Sequence, residues 1–347
     1  MRTARRVLRV LFYLTVVVIA AAVGALVVLT TTEGGRDNLA GMISSMASSD
    51  DRKITVGKLE GIWSGQLRIG AVAIADREGP WLVVRDVAVD WSPAALLSKT
   101  FRAERVAAGR IEVARLPVSS GQSSNDSGGT LPVAVEINQI DLPDIALGEA
   151  LAGAGIAELA AKGSLHADPS PLAIAGDIAV ERRDGKEGSV TGTIRSAPTE
   201  NLLDLDLRAA EPAGGIIANL LRLPGSPAVD IAAKGSGPLS DWSGTSTFRV
   251  GGQVAAQLTG RHQLTDTGNR IEVKGDGEFE QFLPELLKPI LKGGADFDIA
   301  GTATTGGGFE IERAAIDSES VHVSASGVFD PQTAADIRLE GTAKQGP

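Results

Sequence analysis

Three histidines and one pair of closely spaced aspartates are the side chains that could do chemistry in this chain. His166, His262 and His322 lie far apart, and none has a carboxylate at the spacing that metal sites use. Asp204 and Asp206 alternate with leucines, so the period-two pattern predicts that they lie on the solvated face of a strand. We therefore expect these residues to have surface or lining roles, with no catalytic residue and no metal site.

Glycine clusters and thiols offer no stronger signal. Gly251-Gly252 and the glycines at 306–308 are not followed by Lys-Ser or Lys-Thr at the spacing of a phosphate-binding loop. The 347 residues contain no cysteine, which excludes disulfides and thiolate ligands. We expect no cofactor and no enzyme activity. The net charge of −10 also argues against a nucleic-acid partner, because phosphate neutralisation requires a basic face.

An uncharged apolar run at residues 10–32 predicts a transmembrane helix. About 20 helical residues cross a hydrocarbon layer of ~30 Å, and this run is long enough. The residues that we expect to anchor the chain include Val10, Leu11, Phe12, Val18, Ile19, Leu26 and Leu29.

The basic segment 1–9 sets the predicted topology. Its arginines are Arg2, Arg5, Arg6 and Arg9. The positive-inside rule places this end in the cytoplasm, so the rest of the chain lies beyond the membrane. A cleaved signal peptide is the competing interpretation, because small residues occur at 20–25. The apolar run continues past those residues, however, and exceeds an ordinary signal-peptide core. A retained, single-pass anchor is therefore the prediction.

Residues 33–53 form an amphipathic connector. Leu39, Met42, Ile43 and Met46 recur at the spacing of one helical face. This segment is predicted to lie on the membrane surface, to plug the end of the β-structure, or to pack as a short connecting helix.

From residue 54 onward, the pattern has a period of two and predicts a mainly β chain. Hydrophobic residues make up 43 % of the sequence but aromatic residues only 4 %, which favours thin layers between sheets. The polar segment 119–130 predicts a flexible linker between a β domain at 54–118 and a repetitive β region at 131–347; a long loop within one sheet is the alternative. Short helices are predicted at 92–97, 215–221 and 282–291.

The strand segments that alternate most clearly supply the candidate binding surface. Their apolar side chains fall on one face, as expected for a groove lining, although the core of an ordinary β-sandwich would show the same pattern. The candidate lining residues are Ile111, Val113, Leu203, Leu205, Leu207, Ile271 and Val273.

Several sequence segments resemble one known family. The basic N-terminus and apolar helix are followed by Leu59–Gly65, Ile74–Trp81, Val89–Pro93 and Ala114–Pro117, and Gly235–Gly244 looks like a recurring element of the same proteins. Together they resemble the N-terminal portion of the TamB family, the inner-membrane subunits of the translocation and assembly module, within the AsmA-like group. The resemblance covers about the whole chain, and its first hundred residues are the specific part.

This resemblance implies a fold, a location and partners. The fold would be an elongated antiparallel β-sheet folded into a hydrophobic groove, a so-called β-taco, with a few short helices. The chain would be held in the inner membrane with its bulk in the periplasm. Its partners would be the acyl chains of membrane phospholipids and an outer-membrane barrel similar to TamA. Members of the family are several times longer than this chain.

Two functions follow from the resemblance, and a third does not need it. The groove could carry phospholipid toward the outer membrane. An exposed sheet edge could instead assist protein secretion and outer-membrane protein assembly by pairing with a client strand. A structural periplasmic β-domain with no cargo is the remaining alternative.

Overall fold

A computed structural model of the chain describes residues 48, 53–61, 64–118, 133–278, 280, 293–304, 307–329 and 335–344. The predicted anchor at 10–32, nearly all of the connector at 33–53, the predicted linker at 119–130 and the predicted helix at 282–291 lie outside these residues. Among the residues that are described, no helix combines the length and the apolar character needed to cross a bilayer.

The described chain is mainly β, as the period-two pattern predicted, and its helices are few and short. It divides into two compact units, the first running to Ser189 with the addition of Asn219–Leu221, the second containing Val190–Ala218 and the residues from Arg222 onward. The first unit contains β1 (Lys53–Val56), β2 (Leu59–Glu60), β3 (Gln66–Asp76), β4 (Gly79–Trp91), β5 (Thr100–Val113), β6 (Ala134–Leu147), β7 (Ala157–Pro169) and β8 (Leu172–Arg182).

Strands of the first unit pair in an antiparallel meander with one exception. The short strands β1 and β2 both pair with β3, and β3 to β5 pair in sequence. β5 then pairs with β6 in parallel, from Thr100 opposite Ala134 to Val113 opposite Leu147, and β6 to β8 continue antiparallel. The connection through 119–130 therefore joins two parallel neighbours, which a tight hairpin cannot do.

The sequence pattern predicts two separate strands at 101–106 and 111–115, but the structure joins this region into one continuous strand, β5. Gly109 lies at the junction and faces Asp86, a residue with a φ of 53°. A Cβ atom at Gly109 would lie 3.0 Å from the Cβ of Asp86. Glycine therefore favours the close approach of the two strands here and does not mark a turn.

The core of the first unit lies on one face of its sheet. Ile69, Ile74 and Leu82 of β3 and β4 are at most 2 % exposed and belong to one buried cluster, although the buried positions of β3 shift from odd to even numbers after Ile69. Trp91 and Phe101 meet at the edge of this cluster with ring centroids 5.8 Å apart. A 3-10 helix, Pro93–Ser98, follows β4 where a short helix was predicted, but the Ser92 side chain makes no capping hydrogen bond.

The second unit is a meander of ten strands. They are β9 (Ser189–Ala197), β10 (Leu202–Glu211), β11 (Val229–Ser236), β12 (Asp241–Val250), β13 (Gln253–Thr265), β14 (Gly268–Gly277), β15 (Ala295–Thr304), β16 (Phe309–Ser318), β17 (Val321–Phe329) and β18 (Ala335–Ala343). β9 pairs with β10, and from β10 to β18 each strand pairs antiparallel with the next.

The remaining helical segments sit in the connections. They are α1 (Glu149–Ala152) between β6 and β7, a 3-10 turn (Pro198–Glu200) between β9 and β10, and α2 (Ile216–Leu221) between β10 and β11. The last of these confirms the short helix that the sequence predicted at 215–221.

Candidate functional site: the apolar face of the second unit

One face of the second unit's sheet is apolar across nine strands, because the pairing register keeps the alternating apolar residues in line. Leu205 lies opposite Gly235, and this row continues through Gly244 and Gly260 to Val273. We call this surface the apolar face. Its larger side chains are Leu203, Leu205, Leu207, Ile231, Trp242, Phe248, Leu258, His262, Leu264, Ile271, Val273, Phe297, Ile299, Phe309, Ile311, Ile316, Val323, Phe329, Ile337 and Leu339.

Exposure distinguishes this face from an ordinary core. Ile271, Ile299 and Phe329 are each between 45 and 49 % exposed. By contrast, Ile111 and Val113 in the first unit are 2 % exposed and belong to its packed cluster. The same period-two pattern thus produces a closed core in one unit and a half-exposed apolar surface in the other.

Glycines under aromatic rings shape the apolar face near β11 and β12. The ring of Trp242 lies over Gly235 and Gly244, where added Cβ atoms would lie 2.1 and 2.6 Å from ring carbons. The Trp242 Nε1 donates a hydrogen bond of 2.9 Å to the Leu203 carbonyl oxygen. A tryptophan lying flat over glycines covers backbone that would otherwise be open to water.

His262 is one of the few polar side chains on this face, opposite Trp242 and Ile271. Its Nδ1 lies 2.6 Å from the Leu239 carbonyl oxygen, and its Nε2 lies 3.2 Å from the Asn269 Oδ1. Both ring nitrogens are therefore engaged within the sheet. This arrangement agrees with a lining role.

One end of the apolar face, near β10 to β12, is covered by the chain around α2. Ala218 and Leu223 form a small buried cluster with Val229 and Val250. Glu211, at the end of β10, accepts a 2.7 Å hydrogen bond from the Ile217 backbone N–H through its Oε2. The segment around α2 therefore buries the apolar side chains at this end of the face.

The opposite face carries the charges, which are paired across strands. Arg313 contacts Asp298 at 2.6 Å, and Arg270 bridges Glu272 at 3.1 Å and Glu312 at 2.9 Å. Hydrogen bonds from Lys274 and Arg270 lower the pKa of Glu272 to about 2, so it stays ionised at neutral pH. Among the described residues, no Asp, Glu, Lys or Arg takes a register position on the apolar side of β12–β18.

A shallow polar depression lies on the charged face. Its lining includes Lys234, Thr245, Thr259, Lys274 and Glu272. Lys274 contacts Glu272 at 2.9 Å, and Lys234 lies 3.9 Å from Asp206. Arg261 also lines the depression and contacts Asp241 at 2.7 Å. Because all three cations of the lining have carboxylate partners, the depression makes a weaker candidate for a ligand site than the apolar face.

The predicted lining residues fall into two groups. Leu203, Leu205, Leu207, Ile271 and Val273 lie together on the apolar face of the second unit, half-buried or exposed. Ile111 and Val113 lie in the buried core of the first unit, where a ligand has no access to them. The predicted anchor and topology residues lie outside the described part of the chain.

The other candidates from the sequence are dispersed. His166 is exposed on β7, and His322 lies on the charged face with its Nδ1 3.2 Å from the Asp317 Oδ2. Within the residues that the structure describes, no three potential ligands come close enough to hold a metal ion.

The sequence prediction missed much of the apolar face. Trp242, Phe297, Ile316 and Leu339 line it but were not among the candidates. A period-two alternation of apolar residues in β15 to β18 could have indicated this part of the face. Bulges near Gly301 and between Ile311 and Ala314 interrupt the alternation, because each inserts extra residues into one strand of a pair.

Comparison of this chain with protein-family models, with curated proteins and with solved structures finds no match.

Proposed function

We propose that this protein is a membrane-anchored carrier whose apolar face shelters the acyl chains of phospholipids on their way to an outer membrane. One observation carries the proposal: the second unit presents a half-exposed apolar face over nine neighbouring strands, and the described charged residues of β12–β18 all lie on the other face. Monomeric soluble proteins rarely expose apolar surfaces of this extent without a partner.

The energetics favour a lipid chain as that partner. Neighbouring strands lie ~4.8 Å apart, so the face extends roughly 38 Å along the sheet from β10 to β18. Burial of each methylene contributes about 0.8 kcal/mol, and an acyl chain lying across several strands would bury many. Over the described part of β12–β18, this face offers aliphatic side chains and glycine backbone but no charge that a hydrocarbon would have to desolvate.

The proposal includes the finer fold and the setting. The sheet of the second unit would form the wall of a groove of the β-taco kind. Residues 10–32 would hold the chain in the inner membrane, with its bulk in the periplasm. An outer-membrane barrel similar to TamA would receive the cargo. These elements derive from the resemblance to the TamB family and from the segregation of apolar and charged side chains.

Site-specific photocrosslinking tests the proposal directly. A photoreactive amino acid replaces Leu205 on the apolar face or its neighbour Asp206 on the charged face, in the full chain in its native membrane. We expect phospholipid adducts from position 205 and at most a few from position 206. Equal adducts from both positions would remove the basis for a lipid-binding face.

A pair of charge variants adds a quantitative measure. Leu205→Lys places a charge on the apolar face, whereas Ala210→Lys places the same charge on the other face of the same strand. We expect Leu205→Lys to lose contact with about two methylenes of the bound lipid, which weakens the binding free energy by about 1.6 kcal/mol. Native mass spectrometry should then detect roughly tenfold less bound lipid than with Ala210→Lys. Full-length protein that carries no lipid in either parent or variant would favour the structural domain without cargo.

A further inference from the structure

Among the residues that the structure describes, strand β18 is paired on one edge only. β17 is the strand with which it pairs in register, from Phe329 opposite Ala335 to Val321 opposite Ala343. All nine residues of β18 are exposed, including Leu339 at 72 % and Ile337 at 46 %. An edge strand of this length with apolar side chains is a template for pairing with another strand.

The groups that face outward from this edge can be identified. The Lys344 backbone N–H donates to the Ser320 carbonyl oxygen, which marks the positions whose hydrogen bonds point toward β17. Hydrogen-bonded positions alternate along an antiparallel pair of strands. The backbone N–H and C=O groups of the even-numbered residues of β18 therefore point toward β17, and those of the odd-numbered residues point away from it. The N–H and C=O groups of Leu339 and its odd-numbered neighbours are therefore the ones available to a partner strand.

The charged side chains of β18 also have no oppositely charged residue across from them on β17. Arg338 and Glu340 lie opposite Ser326 and Ser324. Their contact with each other is 3.8 Å long, and their side chains are 79 and 69 % exposed. Such an exposed pair contributes little, so both side chains are available for better partners.

We propose that β18 pairs with β18 of a second copy of this chain, antiparallel and with the two-fold axis passing through Leu339. In this register Leu339 faces its own copy, Arg338 faces Glu340 of the partner chain, and Ile337 faces Gly341. Apolar residues meet apolar residues on one side of the sheet, and opposite charges meet on the other.

Self-complementarity is what selects a second copy as the partner. The register centred on Leu339 uses all nine residues of β18 and forms about ten backbone hydrogen bonds. It also creates two symmetry-related Arg–Glu pairs at non-hydrogen-bonded positions, where opposing side chains are closest. A register centred on Gly341 would instead bring Arg338 opposite Lys344. This inference is independent of lipid binding, although the pairing would join two apolar faces edge to edge.

Single cysteines test the register, since the chain contains no natural cysteine. In the full chain in mild detergent, Leu339→Cys should give a disulfide-linked dimer, because the two Cα atoms would lie about 5.5 Å apart, within disulfide range. Ala343→Cys is the matched control on the same face of the same strand. Its two copies would lie about 27 Å apart and should not cross-link. Equal cross-linking at both positions, or at neither, would overturn the proposal.

Charge reversal tests the pairing without cross-linking. Arg338→Glu and Glu340→Arg should each weaken the dimer about tenfold or more, since each replaces two attractive pairs with two repulsive ones. The double variant restores opposite charges across the axis and should recover the dimer. Light scattering coupled to size-exclusion chromatography gives the mass, and circular dichroism verifies folding. A double variant no better than the singles, or a parent chain that is monomeric throughout, would refute this arrangement.

Discussion

Two isoleucines on equivalent strand faces provide the sharpest test of whether the apolar face is open. Ile111 on β5 is 2 % exposed, whereas Ile271 on β14 is 46 % exposed. Substitution by alanine removes the same atoms at each site, so the loss of intrinsic β-propensity is similar in the two variants. The two variants therefore compare a packed site with a half-exposed one.

The expected magnitudes follow from burial. Ile111→Ala removes about three methylene equivalents from a closed core and leaves a cavity, which costs about 3.5 kcal/mol. At Ile271 only about half of the same transfer free energy is lost and water fills the space, so the cost is about 1.3 kcal/mol. We therefore expect a difference of about 2 kcal/mol between the two sites.

Hydrogen exchange measured by mass spectrometry reports the two units separately in the full chain. Peptides from β4 to β6 follow the effect of Ile111→Ala, and peptides from β13 to β15 follow the effect of Ile271→Ala. Ile299→Ala is a second half-exposed site and should behave like Ile271→Ala. Costs at Ile271 and Ile111 that agree within about 0.5 kcal/mol would mean that the apolar face is packed in solution.

Two further predictions concern single contacts. Hydrogen bonds from Arg115, at 2.5 and 2.7 Å, hold the pKa of the nearly buried Asp76 well below its usual value of ~3.9. The ionised carboxylate therefore stabilises the first unit above pH ~3.9, and this stabilisation is lost as the pH falls toward the lower pKa of the folded state. Asp76→Asn should cost about 3 kcal/mol at pH 7 in urea unfolding and flatten the dependence below pH ~4; an unchanged acid slope would contradict this assignment. Gly235→Ala should displace the Trp242 ring, cost about 1 to 3 kcal/mol and shift tryptophan emission to the red, whereas Gly260→Ala, with open space around its Cβ, should leave emission unchanged.

Local pattern predicted the strands well where turns are short. The alternation at 203–207, 270–274 and 336–340 lies within β10, β14 and β18, and the apolar stretch at 215–221 is helical around α2. It failed at β5, which was predicted as two strands at 101–106 and 111–115 but is continuous through Gly109, where the chain approaches Asp86 closely. A glycine's role depends on the neighbouring strand, which local sequence does not specify.

Local sequence patterns did not predict which distant segments pair with each other. Nothing in residues 100–147 indicates that β5 and β6 run parallel, because the register depends on which backbone groups find partners. The contact between Asp76 and Arg115 likewise joins residues 39 positions apart. Each requires the sheet to exist before the contact can be identified.

The sequence by itself determined that residues alternate between an apolar and a polar face, because side chains of a strand point to opposite sides with a period of two. That property is local and survives in both units. Only the tertiary structure decided that Ile111 is enclosed while Ile271 remains half open to solvent. Burial depends on what packs over a face, and that is set by contacts between segments far apart in the chain, which periodicity does not encode.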